Sequence, residues 1–213
     1  EMLTSNSAVC VTGLVVLDTG SYWSAFGQTV ILLLIQIGGL GVITAAVTFL
    51  MLSGKNISLK ERSAMQDAIS APVVGGIVRL TRFILKGTFL VELVGALALG
   101  PAFCRDYGLR GVWMAVFHSV SAFCNAGIDL VGESSFAPFV TNPLINFTTM
   151  GLIFLSGLGF PVWWEVLERV QDLVKGKRTR KNFVRGFTLH TKLVLTTTVI
   201  LLFGGALLIL ALD

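Results

Sequence analysis

Charge is scarce in this chain. Asp, Glu, Lys and Arg supply 13% of its 213 residues, about half the share of an average soluble domain. A solvated surface of ordinary extent is therefore excluded. Cysteine is scarce too: the three present form neither a disulfide framework nor a zinc spacing. The two histidines, His118 and His190, give no metal-ligand spacing, and no glycine-rich phosphate loop occurs. The N-terminus lacks a basic region followed by an apolar core, so no secretory signal is expected. What the chain has instead is apolar length. Hydrophobic residues make up 54%, and mean hydropathy is +0.82.

A bilayer core of about 30 Å needs roughly 20 apolar residues per helix. Four segments qualify as spans: residues 25–52, 83–104, 143–165 and 189–212. Basic residues are confined. Residues 55–86 and 169–192 hold 14 of the 16, which the positive-inside rule makes cytoplasmic. Glu1, Asp18, Asp106, Asp129, Glu133 and Asp213 fall on the opposite, outer side. The net charge of +4 thus follows from topology, and no nucleic-acid partner is expected. The lipid bilayer is the first partner.

One motif occurs twice. Ser7-Ala8-Val9-Cys10-Val11-Thr12-Gly13-Leu14 and Ser121-Ala122-Phe123-Cys124-Asn125-Ala126-Gly127-Ile128 share Ser-Ala-x-Cys-x-x-Gly-aliphatic, 114 positions apart. Each is followed by an apolar helix carrying Gly-Leu-Gly, at residues 39–41 and 157–159, and Gly95-Ala96-Leu97 pairs with Gly205-Ala206-Leu207. Residues 112–124 are too short to span and should dip in and return. The order is then loop, span, span, loop, span, span, with both loops entering from the outer side. Inverted-repeat transporters would orient their halves oppositely. The expected fold is an all-α integral membrane protein of parallel span–pore loop–span repeats, potassium-channel-like, with two re-entrant loops and four transmembrane helices. Its parts are residues 1–52 (first loop and descending helix), 53–82 (cytoplasmic linker), 83–170 (second repeat), 171–188 (basic cytoplasmic loop) and 189–213 (first helix of a third repeat).

These residues resemble a known family. Val11 to Leu14, Asp18-Thr19-Gly20, Gln28 and Ile35-Gln36-Ile37-Gly38-Gly39-Leu40-Gly41 resemble the first pore repeat of the Ktr/Trk/HKT potassium transporter superfamily. Residues 121–127, Gly157 to Gly159 and Thr188-Leu189-His190-Thr191-Lys192 resemble its second repeat and the start of its third. The resemblance implies a membrane pore subunit of four repeats, of which this chain is the middle. It implies potassium uptake across the plasma membrane, with sodium as the alternative ion, and no cofactor. It further implies a homodimer and a cytoplasmic nucleotide-binding regulatory partner, with residues 53–82 and 169–188 cytoplasmic. In the family, glycine in the first loop goes with potassium and serine with sodium preference, while Asn125-Ala126-Gly127 departs from the potassium-channel consensus.

The loop chemistry supports this reading independently. A selectivity filter replaces an ion's water with backbone carbonyls, and glycine reaches positive φ without penalty. The expected ion-binding residues are Val11, Thr12, Gly13 and Leu14 with Asn125, Ala126, Gly127 and Ile128, holding potassium at the backbone with no side-chain metal site. Residues 4–10 and 112–124 would be short helices whose C-terminal ends, carrying about −0.5 charge, favour a cation. Gly38, Gly39, Gly41, Gly157 and Gly159 read as helix packing within the descending spans, and Pro161 as a kink. Cys10 and Cys124 read as small packed residues. Glu92, deep in a span, should face protein or water, with Gln28 and Gln36 as candidate partners.

Two readings compete. Val16-Leu17-Asp18-Thr19-Gly20 matches an aspartic-protease loop, but one copy among apolar helices lacks the context that chemistry requires. A non-conducting membrane scaffold is the other. Ser58-Leu59-Lys60-Glu61 is a capping box opening a helix that Pro72 should stop, and residues 175–181 form a basic run at the lipid surface. Two filter-like loops favour conduction, so no enzymatic activity is expected.

Overall fold

A computed structural model describes residues 2–41, 77–132, 134–174 and 186–212, and all regular structure among them is helical. The capping box at residues 58–61, Pro72, the basic run at 175–181 and the lower part of the 25–52 span lie outside the described residues. The chain divides into two compact units, one ending at Ser156 and one continuing from Gly157.

The first unit opens with α1 (Met2–Val9), which runs into the first glycine loop. Asp18 then caps a single turn, α2 (Thr19–Tyr22): its carboxylate accepts the Gly20 and Ser21 N–H groups at 3.3 and 2.9 Å. Ser24 caps α3 (Ala25–Leu40) in the same way. Helix α3 packs on α1, and two of its glycines make close approaches. A β-carbon on Gly38 would overlap the Val9 carbonyl, and one on Gly39 would overlap Cys124.

The long helix α4 (Ile77–Tyr107) carries most of the packing with α5 (Arg110–Phe123). Its 31 residues reach about 46 Å at 1.5 Å per residue. Close approach again depends on small residues, since β-carbons on Gly95 and Gly111 would strike Ser119 and the Phe103 carbonyl. A ring cluster fills the end near Phe103. Phe103 stacks on His118 with centroids 4.9 Å apart, and Phe136 and Phe139 meet both or one of them edge-on. Helix α5 spans only about 21 Å by the same rise, and its second half, from Phe117 to Phe123, is wholly buried. After a 3₁₀ turn at Ala137–Phe139, α6 (Pro143–Gly157) completes the unit.

The second unit holds α7 (Phe160–Val174) and α8 (Leu189–Leu212). Glu165 of α7 is the clasp. Its carboxylate accepts the Thr188 N–H and hydroxyl, each at 2.8 Å, and the Thr191 hydroxyl. Negative charge at the N-terminus of α8 suits the helix dipole. Arg169 pairs with Glu165 at 3.2 Å and lies over the Phe187 ring.

Among the described residues two helices, α4 and α8, are long and apolar enough to cross a membrane, and the pair α6 and α7 makes a third if counted as one broken span. That break departs from the single span expected over residues 143–165. Residues 143–165 are not one helix kinked by Pro161. The helix stops at Gly157, Gly159 turns at φ 82°, and Pro161 sits in the first turn of α7, where a missing N–H costs nothing. Gly41 likewise caps α3 at φ 82°. Gly38 and Gly39 are packing glycines as expected, whereas Gly41 and Gly159 end helical segments.

Candidate pore-loop site

The two copies of the motif fold alike. Cys10 and Cys124 donate to the carbonyls four residues back, each at 2.8 Å. Thr12 N–H reaches Ser7 O at 2.9 Å and Ala126 N–H reaches Ser121 O at 2.8 Å. This six-residue return is the Schellman cap. The residue between turns left-handed in both copies, Val11 at φ 54° and Asn125 at φ 57°, and each glycine two positions on is left-handed again, Gly13 at 80° and Gly127 at 68°. A sequence repeat has become a backbone repeat, register for register.

The loops also meet. A β-carbon on Gly13 would lie 2.7 Å from the Ala126 carbonyl oxygen, and one on Gly127 would lie 3.8 Å from the Gly13 α-carbon. Both segments leave the C-terminal end of a helix, α1 or α5, so two partial negative charges approach one place. Of the eight residues singled out from the sequence, 11–14 and 125–128, the glycines and Ala126 come together directly. Leu14 is 62% exposed, whereas Ile128 is buried.

The second loop is pinned more firmly than the first. Ser121 donates its hydroxyl to the Ile128 carbonyl, and the Leu130 N–H donates to His118 Nε2 at 3.1 Å. Because Nε2 accepts, Nδ1 must carry the proton and donate to the Met114 carbonyl, 2.7 Å away. The hydroxyl of Ser7, equivalent to Ser121, is buried without a partner. Beyond the loops, Asp129 accepts from Val131 N–H at 3.0 Å and from the Ser135 hydroxyl at 2.6 Å.

A polar seam joins the repeats. Trp113 Nε1 donates to Gln28 Oε1 at 2.9 Å, Gln28 Nε2 donates to the Trp23 carbonyl at 3.0 Å, and Arg110 donates to the Gly20 carbonyl at 2.8 Å. The seam had no signal in the sequence beyond Gln28, since its partners lie 85 and 90 residues apart. Glu92 finds one of its two expected partners. Gln36 donates to its carboxylate at 2.9 Å, while Gln28 serves the seam instead. Cys124 is buried against Gly39 as expected, but Cys10 is exposed.

This arrangement can be set beside known proteins. The sequence matches the family described as TrkH, cation transport protein, over residues 1–213. The chain belongs to that family. It is 38% identical over 210 residues to the potassium/sodium uptake protein NtpJ of Enterococcus hirae, covering 98% of this chain and 44% of the relative. It is 40% identical over 201 residues to the Ktr system potassium uptake protein B of Bacillus subtilis, covering 94% and 42%. The protein of the same description from Vibrio alginolyticus is 34% identical over 213 residues, covering 100% and 44%. The chain therefore spans less than half the length of these relatives. Membership of the cation transport protein family TrkH gives Asp18-Thr19-Gly20 a context other than a protease loop. In this TrkH-family chain both Asp18 oxygens are committed to capping α2, which is the work the Asp-Thr-Gly triplet does here.

Proposed function

We propose that the chain is the central part of a four-repeat pore for monovalent cations, with potassium uptake across the plasma membrane as its activity. The observation that carries the proposal is the meeting of two left-handed glycine segments with matching caps, at the C-terminal ends of two helices. Four such segments around an axis would surround an ion with carbonyls. In this reading residues 11–14 and 125–128 are two of the four filter segments, and the remainder of the parent covers the exposed run at Leu14, Val15, Val16 and Leu17. The potassium and sodium uptake named for the relatives supports the ion class. The parts 1–52, 53–82, 83–170, 171–188 and 189–213 keep the roles read from the sequence. A homodimer and a nucleotide-binding regulatory subunit at the cytoplasmic face complete the proposal.

Expression of the full-length parent in cells lacking potassium uptake should restore growth at low potassium. Failure of rescue with protein confirmed in the membrane would instead favour a non-conducting scaffold.

Orientation is tested separately. With native cysteines replaced, a cysteine at Asp129 should react with a membrane-impermeant thiol reagent from outside, and one at Lys177 should not. The reverse pattern would invert the topology and remove the case for two outer loops.

A further inference from the structure

The two loops are tied to their descending helices at matching places by different chemistry. Val11 and Asn125 are the equivalent non-glycine residues at positive φ, 54° and 57°, a region that asparagine tolerates and a β-branched residue resists. In the first loop the tie is apolar: Val11 Cγ2 lies 3.2 Å from where a β-carbon on Gly38 would stand. The position matching Gly38 in the second repeat is Ser156, each directly before its Gly-Leu-Gly. There the tie is polar. Asn125 Nδ2 donates to Ser156 Oγ at 2.9 Å. The single Ser156 hydroxyl proton goes to the Ile153 carbonyl at 3.2 Å, so the oxygen has only lone pairs to offer. That direction fixes which end of the Asn125 amide faces α6.

We propose that Ser156 is a positioning residue for ion selectivity: it holds Asn125 in the left-handed turn that sets Gly127. The inference rests on the proposed cation-conducting reading and adds the residue that governs discrimination at the second loop. The matching contact in the first loop is made by the apolar Val11 side chain, so loss of the Ser156 hydroxyl should loosen one filter segment and leave the other in place. Conduction then survives while discrimination declines.

The test uses the full-length parent, reading the potassium-to-sodium flux ratio and the potassium flux per protein in the membrane. Ser156→Ala should lower the ratio about fivefold, the factor a net hydrogen bond of typical strength is worth, with potassium flux retained. Asn125→Gly keeps access to positive φ but lacks the amide, and should lower the ratio equally. The double variant should be no worse than either single one, and Ser156→Thr, which keeps a hydroxyl, should stay near the parent's ratio. An unchanged ratio in Ser156→Ala would overturn the inference whatever Asn125→Gly does, as would losses that add in the double variant. If Ser156→Ala fails to reach the membrane, Ser156→Gly, which likewise lacks the hydroxyl, takes its place. A parent that moves no monovalent cation would sink the functional reading and this inference with it. A discriminating parent with indifferent variants would sink only the inference.

Discussion

Gly13→Ser in the full-length parent should leave the protein in the membrane and lower its preference for potassium over sodium by about tenfold. Two costs act together. At φ 80° a side chain crowds its own backbone, which costs roughly 1–2 kcal/mol per residue. The new β-carbon would also stand 2.7 Å from the Ala126 carbonyl oxygen, so the peptide of the opposite loop must tilt. A tilted carbonyl no longer presents the same oxygen to an ion. Gly127→Ser meets only the first cost, because its β-carbon would have 3.8 Å of room to the nearest atom. Its effect should therefore be smaller. The check is the flux ratio for both variants, normalised to protein in the membrane. A normal ratio with depleted protein would mean that Gly13 is a packing contact and the filter assignment is wrong.

Gly38→Ala should fail first as a protein, with less of it folded in the membrane. Its β-carbon would overlap the Val9 carbonyl, and that carbonyl belongs to the last residue of α1. Neither side of the contact is a flexible side chain, so α3 must move away from α1. Overpacking of this kind costs about 1–3 kcal/mol or more. Thermal stability in detergent and the yield of folded protein should both decline clearly. Normal yield and stability would show that α1 and α3 do not pack as described.

Much of this architecture is legible in the sequence because it depends on runs and repeats. Residues 189–212 were readable as a helix from apolar length alone, and the structure returns the same bounds. Residues 112–124 were readable as a short helix, and α5 differs from that by two residues at its start and one at its end. The left-handed glycines followed from a motif repeated where helix packing gives no reason for it. Other features had no local signal. In an apolar run, Gly-Leu-Gly looks the same whether it packs helices or ends them, and only the φ of Gly41 and Gly159 decides. Ser156 reads as an ordinary helix residue until its position beside Asn125 is known. Glu165 reads as the polar end of a span, yet it clasps Thr188 and Thr191, 23 and 26 residues further on. Partners at such separation are set by tertiary packing, which periodicity does not encode.

The central claim is that residues 11–14 and 125–128 hold an ion through their backbones. Anomalous diffraction from the full-length parent soaked in rubidium or thallium measures this directly. The account predicts density on the pore axis, within coordination distance of carbonyl oxygens from both segments and from two further glycine loops. Density confined to other parts of the protein, with Gly13 and Gly127 packed against each other and no ion beside them, would contradict it.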